Sequence, residues 1–127
     1  MALSDYNLLL KKDSFNQEAL FERGYTYYEI KNYDAAIKDF SRLIQVNNDL
    51  MLPYFYQGLS YEKQGNMNEA LKNYNSAILL TPENSELYLH CAKIFCKLNN
   101  FEQAKINFER YAKITGETKI KDCSNKN

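Results

Sequence analysis

An all-α architecture of stacked antiparallel helix hairpins is predicted by three features of this 127-residue sequence. The first is a fixed interval. Gly24, Gly58 and Ala92 stand 34 residues apart, as do Tyr27, Tyr61 and Phe95; Ala36, Ala70 and Ala104; Phe40, Tyr74 and Phe108; and Tyr33, Met67 and Phe101. Columns that hold one spacing without slipping mean one structural unit copied along the chain. The second is an apolar stripe at three- and four-residue spacings in each half of the unit, the pattern of a helix with one buried face. The third is a turn signal at the middle of every copy: Lys31-Asn32, Gly65-Asn66 and Asn99-Asn100.

The elements follow in order. Residues 1–16 fit only the second half of a unit, because Ala2, Tyr6 and Leu9 fall on the columns of Ala36, Phe40 and Leu43. A helix near 2–13 is therefore expected to lack its hairpin partner. Since such a unit cannot bury its apolar face alone, Leu3, Tyr6 and Leu10 are expected to form an exposed end interface. Full units occupy 17–50, 51–84 and 85–118, with helices at 17–30, 34–47, 51–64, 68–81, 85–98 and 102–114. Asn16, Asn48 and Asn84 are expected to cap the first helix of each unit, and Pro53 sits in a first turn, where its missing N–H costs little. The small residues at 24, 58 and 92 let two helices approach closely. Residues 119–127 form a polar, basic tail expected to be disordered.

Within each copy the residues read Leu20-x2-Arg23-Gly24-x2-Tyr27 with Ala36-x3-Phe40, then Tyr54-x2-Gln57-Gly58-x2-Tyr61 with Ala70-x3-Tyr74 and Pro82, then Tyr88-x2-Cys91-Ala92-x2-Phe95 with Ala104-x3-Phe108. This pattern resembles the tetratricopeptide repeat (TPR), whose period is 34 residues and whose signature is Trp-x2-Leu-Gly-x2-Tyr, Ala-x3-Phe, then Pro. The departures are Leu20, Tyr54 and Tyr88 for the tryptophan, and Asn48 and Gly116 for two of the prolines. The resemblance spans residues 1–118. It implies a right-handed superhelical solenoid of about three and a half units, and a protein-binding role.

Composition narrows the function. Sixteen basic and sixteen acidic residues cancel, so no global field favours nucleic acid or an anionic membrane. No apolar run reaches the ~20 residues of a membrane span, and the N-terminus carries no signal-peptide pattern. Three cysteines, Cys91, Cys96 and Cys123, are an odd and sparse set that does not read as a disulfide framework. They also lack the paired spacing of a zinc site. A reduced, cytoplasmic setting is expected, with no metal and no cofactor. One histidine, His90, has no nucleophile at helical spacing beside it, and the glycines do not form a phosphate loop. No catalytic residue is assigned, and the expected class is a non-enzymatic binding protein.

What the resemblance implies about the site is a concave groove lined by the first helices, receiving a peptide or helix of a partner protein. The matching positions are Phe21, Tyr25, Tyr28, Leu52, Phe55, Tyr56, Leu59, Leu89, His90 and Lys93. The family's clamp for the acidic tails of chaperones needs cations and amides where this chain has Phe21, Tyr25, Tyr56, Glu86 and His90, so that ligand is not expected. An adaptor or scaffold with an aromatic groove is the first reading. The alternative is a self-assembling or structural element of a larger complex, or a piece of a longer array, associating through its open helical ends, with a homo-oligomer as one form.

Overall fold

Seven helices account for most of residues 3–124, which a computed structural model describes: α1 (Leu3–Lys12), α2 (Gln17–Glu29), α3 (Tyr33–Val46), α4 (Met51–Lys63), α5 (Met67–Leu80), α6 (Ser85–Lys97) and α7 (Phe101–Thr115). The described residues contain no strand. α2 packs on α3, α4 on α5 and α6 on α7 as antiparallel hairpins, and each hairpin leans on the next through α3–α4 and α5–α6 contacts. The result is the all-α solenoid of helix hairpins that the sequence predicts.

The turn inside each hairpin is the same object three times. The N–H of Asn32 donates to the carbonyl of Tyr27, Asn66 to Tyr61 and Asn100 to Phe95, all at 2.8–2.9 Å. These bonds close Schellman-type ends, which need a left-handed residue just past the helix. Lys31, Gly65 and Asn99 supply it, with φ of 67°, 82° and 58°. The asparagine that follows then caps the next helix: Asn32, Asn66 and Asn100 accept from the N–H groups of Ala35, Glu69 and Gln103. One Asn per hairpin thus ends one helix and starts another.

Asn16 and Asn84 cap α2 and α6 as expected. Asn48 does not cap α4; Leu50 occupies that position without a side-chain bond. Pro53 falls within the first turn, so one of the unpaired N–H groups there does not exist. The carbonyl of Asn48 instead accepts from the Tyr54 hydroxyl at 3.4 Å, as that of Pro82 accepts from Tyr88 at 2.7 Å.

The core repeats with the sequence. Ala36, Phe40, Ala70, Tyr74, Ala92 and Ala104 are almost wholly buried. The glycines sit against the rings of their own hairpin: a Cβ on Gly24 would lie 2.9 Å from Phe40, and one on Gly58 would lie 2.6 Å from Tyr74. At these two positions the facing ring leaves little room for a methyl group.

Both ends differ from expectation. Tyr6 and Leu10 are not an open interface; they are buried against Ala19, Leu20 and Leu43, while Leu3 is partly buried. The reason is register. α1 stands to α2 as α3 stands to α4. Arg23 donates to Asn7 on α1 at 2.9 Å, and the equivalent Gln57 donates to Ser41 on α3 at 2.6 Å. The uncovered side of α1 instead presents Leu8 and Leu9, 64% and 40% exposed. Leu9 shares a column with Leu43 and Ala77, both of which are buried.

At the other end, α7 stops at Gly116, in the left-handed region at φ 78°. The expected disordered tail is described as far as Ser124, and the expectation that the cysteines stay unpaired is corrected. Cys96 and Cys123 form a disulfide. The bond brings Cys123 against the Ala92–Ala104–Phe108 cluster, and the Lys121 ammonium lies over the Tyr111 ring at 6.0 Å. A short irregular segment thus covers part of the last hairpin. Residues 125–127 lie outside the described residues.

Candidate interaction face

The first helices α2, α4 and α6 carry the residues assigned to the groove, and their one shared face carries a continuous network of rings. Tyr56 is its hub. The Tyr25 ring meets it edge-on at 5.1 Å, Phe55 at 5.3 Å, Tyr28 at 5.6 Å and Phe21 at 6.1 Å between centroids. Phe55 continues the network to His90 at 5.5 Å, and His90 stacks on Tyr74 at 5.3 Å. Edge-to-face pairs of this kind add to the stability that burial alone provides. They also fix the rings in place, so a partner would meet a preformed surface.

Each ring of this network from α2, α4 and α6 is half-buried. These residues neither vanish into the core nor stand free, because each packs its inner edge on the hairpin beneath and leaves the other edge open. Phe21 and Tyr56, for example, rest on the fully buried Phe40 ring at 5.9 and 6.1 Å. Beside Phe21 lies a cleft of about 310 Å³, lined almost entirely by apolar groups including Leu43, Leu50, Leu52 and Pro53. Leu52 is 45% exposed at its rim.

The remaining assigned residues divide. Leu59 packs into the Ala70–Tyr74–Ala77 core. Leu89 joins the α6–α7 cluster beside the disulfide, which places it with the tail rather than with the rings. Lys93 is half-buried, and its charge helps hold the His90 imidazole in its neutral form.

A polar group lies among the rings. The Tyr74 hydroxyl donates to Glu62 at 2.8 Å, and the same carboxylate stands 3.9 Å from His90 Nδ1 and from Lys97 Nζ. Burial pushes the Tyr74 phenol far up, with the Glu62 charge adding to it. His90 moves the other way: desolvation lowers it, and the nearby Glu62 and Glu86 charges only partly oppose that. Tyr74 and His90 are thus both biased toward their neutral forms. Cys91 is buried with its thiol pushed up to about 12, chiefly by desolvation, the opposite of an activated nucleophile. Among the described residues, no three His, Cys, Asp or Glu side chains converge to hold a metal, and no helix is long and apolar enough to cross a membrane.

Comparison with known proteins bears on this arrangement. A family model described as "Tetratricopeptide repeat" matches residues 17–50, and one described as "TPR repeat" matches residues 58–99. This chain is a tetratricopeptide repeat protein. Solved structures of MamA share its shape. One, a crystal structure of MamA, superposes with a TM-score of 0.86 at 20% identity, covering 90% of this chain and 67% of the other. A second reaches 0.86 at 21% identity, over 91% and 63%. MamA residues 41 to the end, from Desulfovibrio magneticus RS-1, give 0.85 at 16% identity, over 91% and 66%. At these identities the likeness is one of fold, and this chain spans about two thirds of the MamA chains' length. Curated protein sequences give no match. As a TPR array, the chain has the fold of a protein-interaction or scaffold module.

Two structural features lie outside the sequence-based expectations. The apolar cleft depends on Leu50, in the linker that joins two units, and on Pro53, in the first turn of α4. The disulfide that restrains the tail joins cysteines separated by 27 residues, and no local spacing announces it.

Proposed function

We propose that this chain is a non-catalytic adaptor or scaffold that binds a peptide or helix of a partner protein along the aromatic face of α2, α4 and α6. The observation that carries this reading is the half-exposed ring network centred on Tyr56. Flat, rigid aromatic groups with polar tips cost little conformational entropy to immobilise and dominate many interfaces. The chaperone-tail mode is excluded from the proposal, because the positions it needs carry aromatic and acidic groups that would repel a carboxylate. We place the protein in the cytoplasm; in so reducing a setting, Cys96 and Cys123 would spend part of their time as thiols.

Tyr56 contacts five rings, so truncating it would disturb the fold as well as the face. Tyr25, at the open edge, is the cleaner probe. Peptides selected from a random library on the full chain should lose at least tenfold in affinity with Tyr25→Ala, while the melting temperature stays within a few degrees. Selected peptides that bind Tyr25→Ala as well as the parent would sink the reading.

A second reading rests on Leu8 and Leu9. Their exposure at the uncovered side of α1 favours an assembly contact there, with a second copy or with further repeats. It predicts concentration-dependent sedimentation that Leu9→Glu abolishes. A chain that sediments as a monomer at every concentration would remove the second-copy form of this reading.

A further inference from the structure

The chemistry around Tyr56 is specific enough to say what kind of segment the face would take. Three tyrosine rings, Tyr25, Tyr28 and Tyr56, lie within 5.1–5.6 Å of one another through Tyr56. Their faces carry the negative end of the ring quadrupole. Glu29 on α2 and Glu86 on α6 belong to the first helices of the hairpins before and after that of Tyr56. Both charges act on the Tyr56 phenol, which burial has already pushed upward. Both carboxylates are exposed, and neither takes part in an ion pair among the described residues. The nearest acid in the network, Glu62, differs: it is engaged by Tyr74 and faces Lys97. The Tyr56 neighbourhood is thus electron-rich and lies in the field of two exposed acids that form no ion pair among the described residues.

The apolar cleft adjoins it. Phe21 belongs to both features, touching Tyr56 at 6.1 Å and lining the cleft with Leu43, Leu50, Leu52 and Pro53. One side of Phe21 offers room for a bulky apolar side chain, and the other leads to a seat for a cation.

From this juxtaposition we infer that the face recognises a cationic protein segment, an arginine or lysine stacked on the Tyr25–Tyr28–Tyr56 cluster within the field of Glu29 and Glu86, with a neighbouring large apolar residue in the cleft beside Phe21. This deepens the proposed peptide-binding function and rests on it. Charge complementarity decides among the occupants. An acidic segment would meet two carboxylates, and a wholly apolar helix would strand them against its surface. Arginine suits the seat better than lysine, because its planar guanidinium can stack on a ring and bond a carboxylate at the same time.

The test uses the full chain and a phage-displayed library of random 12-residue peptides. Enriched peptides should share a basic residue close to a bulky apolar one. The tightest is then synthesised with its arginine replaced by citrulline, which keeps the shape and removes the charge, or with its lysine acetylated. That change should weaken binding at least tenfold. Glu29→Gln with Glu86→Gln should weaken the parent peptide about tenfold and flatten its dependence on salt. These two positions are exposed, so circular dichroism and melting should be unchanged. Enrichment of acidic or uncharged peptides, or indifference to citrulline and to the double substitution, overturns the cationic inference. If such peptides still depend on Tyr25, the aromatic face survives as a binding site. If no peptide shows Tyr25-dependent binding, the face itself fails, and the cationic inference with it.

Discussion

Replacing Gly58 with alanine should destabilise the protein more than the same change at Gly24, although the two glycines hold equivalent positions. A Cβ on Gly58 would stand 2.6, 2.9 and 3.1 Å from three ring carbons of Tyr74. At Gly24 the corresponding distances to Phe40 are 2.9, 3.1 and 3.2 Å. Carbon atoms prefer about 3.5–4.0 Å, so both sites are overpacked, but the neighbours differ in their freedom to yield. Tyr74 is fully buried, stacked on His90, and anchored at its far end by the 2.8 Å bond to Glu62. Phe40 has no such anchor. Overpacking costs typically about 1–3 kcal/mol, and alanine returns about 1 kcal/mol of helix propensity. With the cost near the top of that range, Gly58→Ala should lose about 2 kcal/mol. Gly24→Ala, near its middle, should lose about 1 kcal/mol or less. For a domain of this size, that is about 8 °C against about 4 °C in melting temperature. Urea denaturation with an unchanged m-value would measure it. In a Tyr74→Leu background the Gly58→Ala cost should largely disappear, since the ring it strikes is gone. A stabilising Gly58→Ala, or an equal cost in both backgrounds, would refute the argument from close approach.

Three further outcomes follow from named contacts. Arg23 holds Asp39 with two bonds, at 2.6 and 2.8 Å, and the Asp39 side chain is only 6% exposed; Arg23→Leu should therefore cost about 3 kcal/mol in urea denaturation, and Arg23→Leu with Asp39→Leu should recover much of it. His90 is lowered by desolvation from its ordinary 6.5, so the unfolded chain binds the proton first as pH falls; its contribution is intact above pH 6.5 and is lost as pH falls below it, and His90→Phe should reduce the acid sensitivity of melting measured between pH 7 and pH 5. Opening the Cys96–Cys123 bond, by reductant or by Cys123→Ser, removes a constraint across a separation of 27 residues and should cost up to about 3.5 kcal/mol by the loop-entropy argument. Thiol labelling of the native, reduced chain should then be rapid at Cys96 and Cys123 and slow at the buried Cys91.

Much of this architecture is legible in the sequence because the constraints are periodic. A glycine that must admit a ring recurs with that ring: Gly24 with Phe40, Gly58 with Tyr74. Where the small residue becomes Ala92, its partner is again a phenylalanine, Phe108, which no hydroxyl anchors. The placement of the rings on the first helices follows from the resemblance to the tetratricopeptide repeat, which assigns Phe21, Tyr25, Tyr28, Phe55 and Tyr56 to the inner side; their spacing alone does not. The dual role of Asn32, Asn66 and Asn100 is harder to see. Turn formation and capping favour the same residue, so the pattern alone reads as a turn.

The burial of Tyr6 and Leu10 was obscured for a different reason. A half-unit has two apolar sides, one for its own hairpin partner and one for the next hairpin. Composition does not say which side Tyr6 and Leu10 take. The Arg23–Asn7 bond, equivalent to Gln57–Ser41, resolves it: α1 serves the hairpin that follows, and the side left uncovered is that of Leu9. The disulfide is invisible for lack of any local signal, since it joins a helix to an irregular tail.

The central claim is that the aromatic face of α2, α4 and α6 is where this repeat protein meets its partner. The most direct measurement is nuclear magnetic resonance of the labelled chain, titrated with the tightest peptide from the library selection. The account predicts that the shifted signals cluster on Tyr25, Tyr28, Tyr56, Glu29, Glu86 and His90, with α1 and α7 unmoved. Shifts confined to Leu8 and Leu9 on α1, or to Phe101 and the tail beside α7, would contradict it and move the binding surface to the ends of the array.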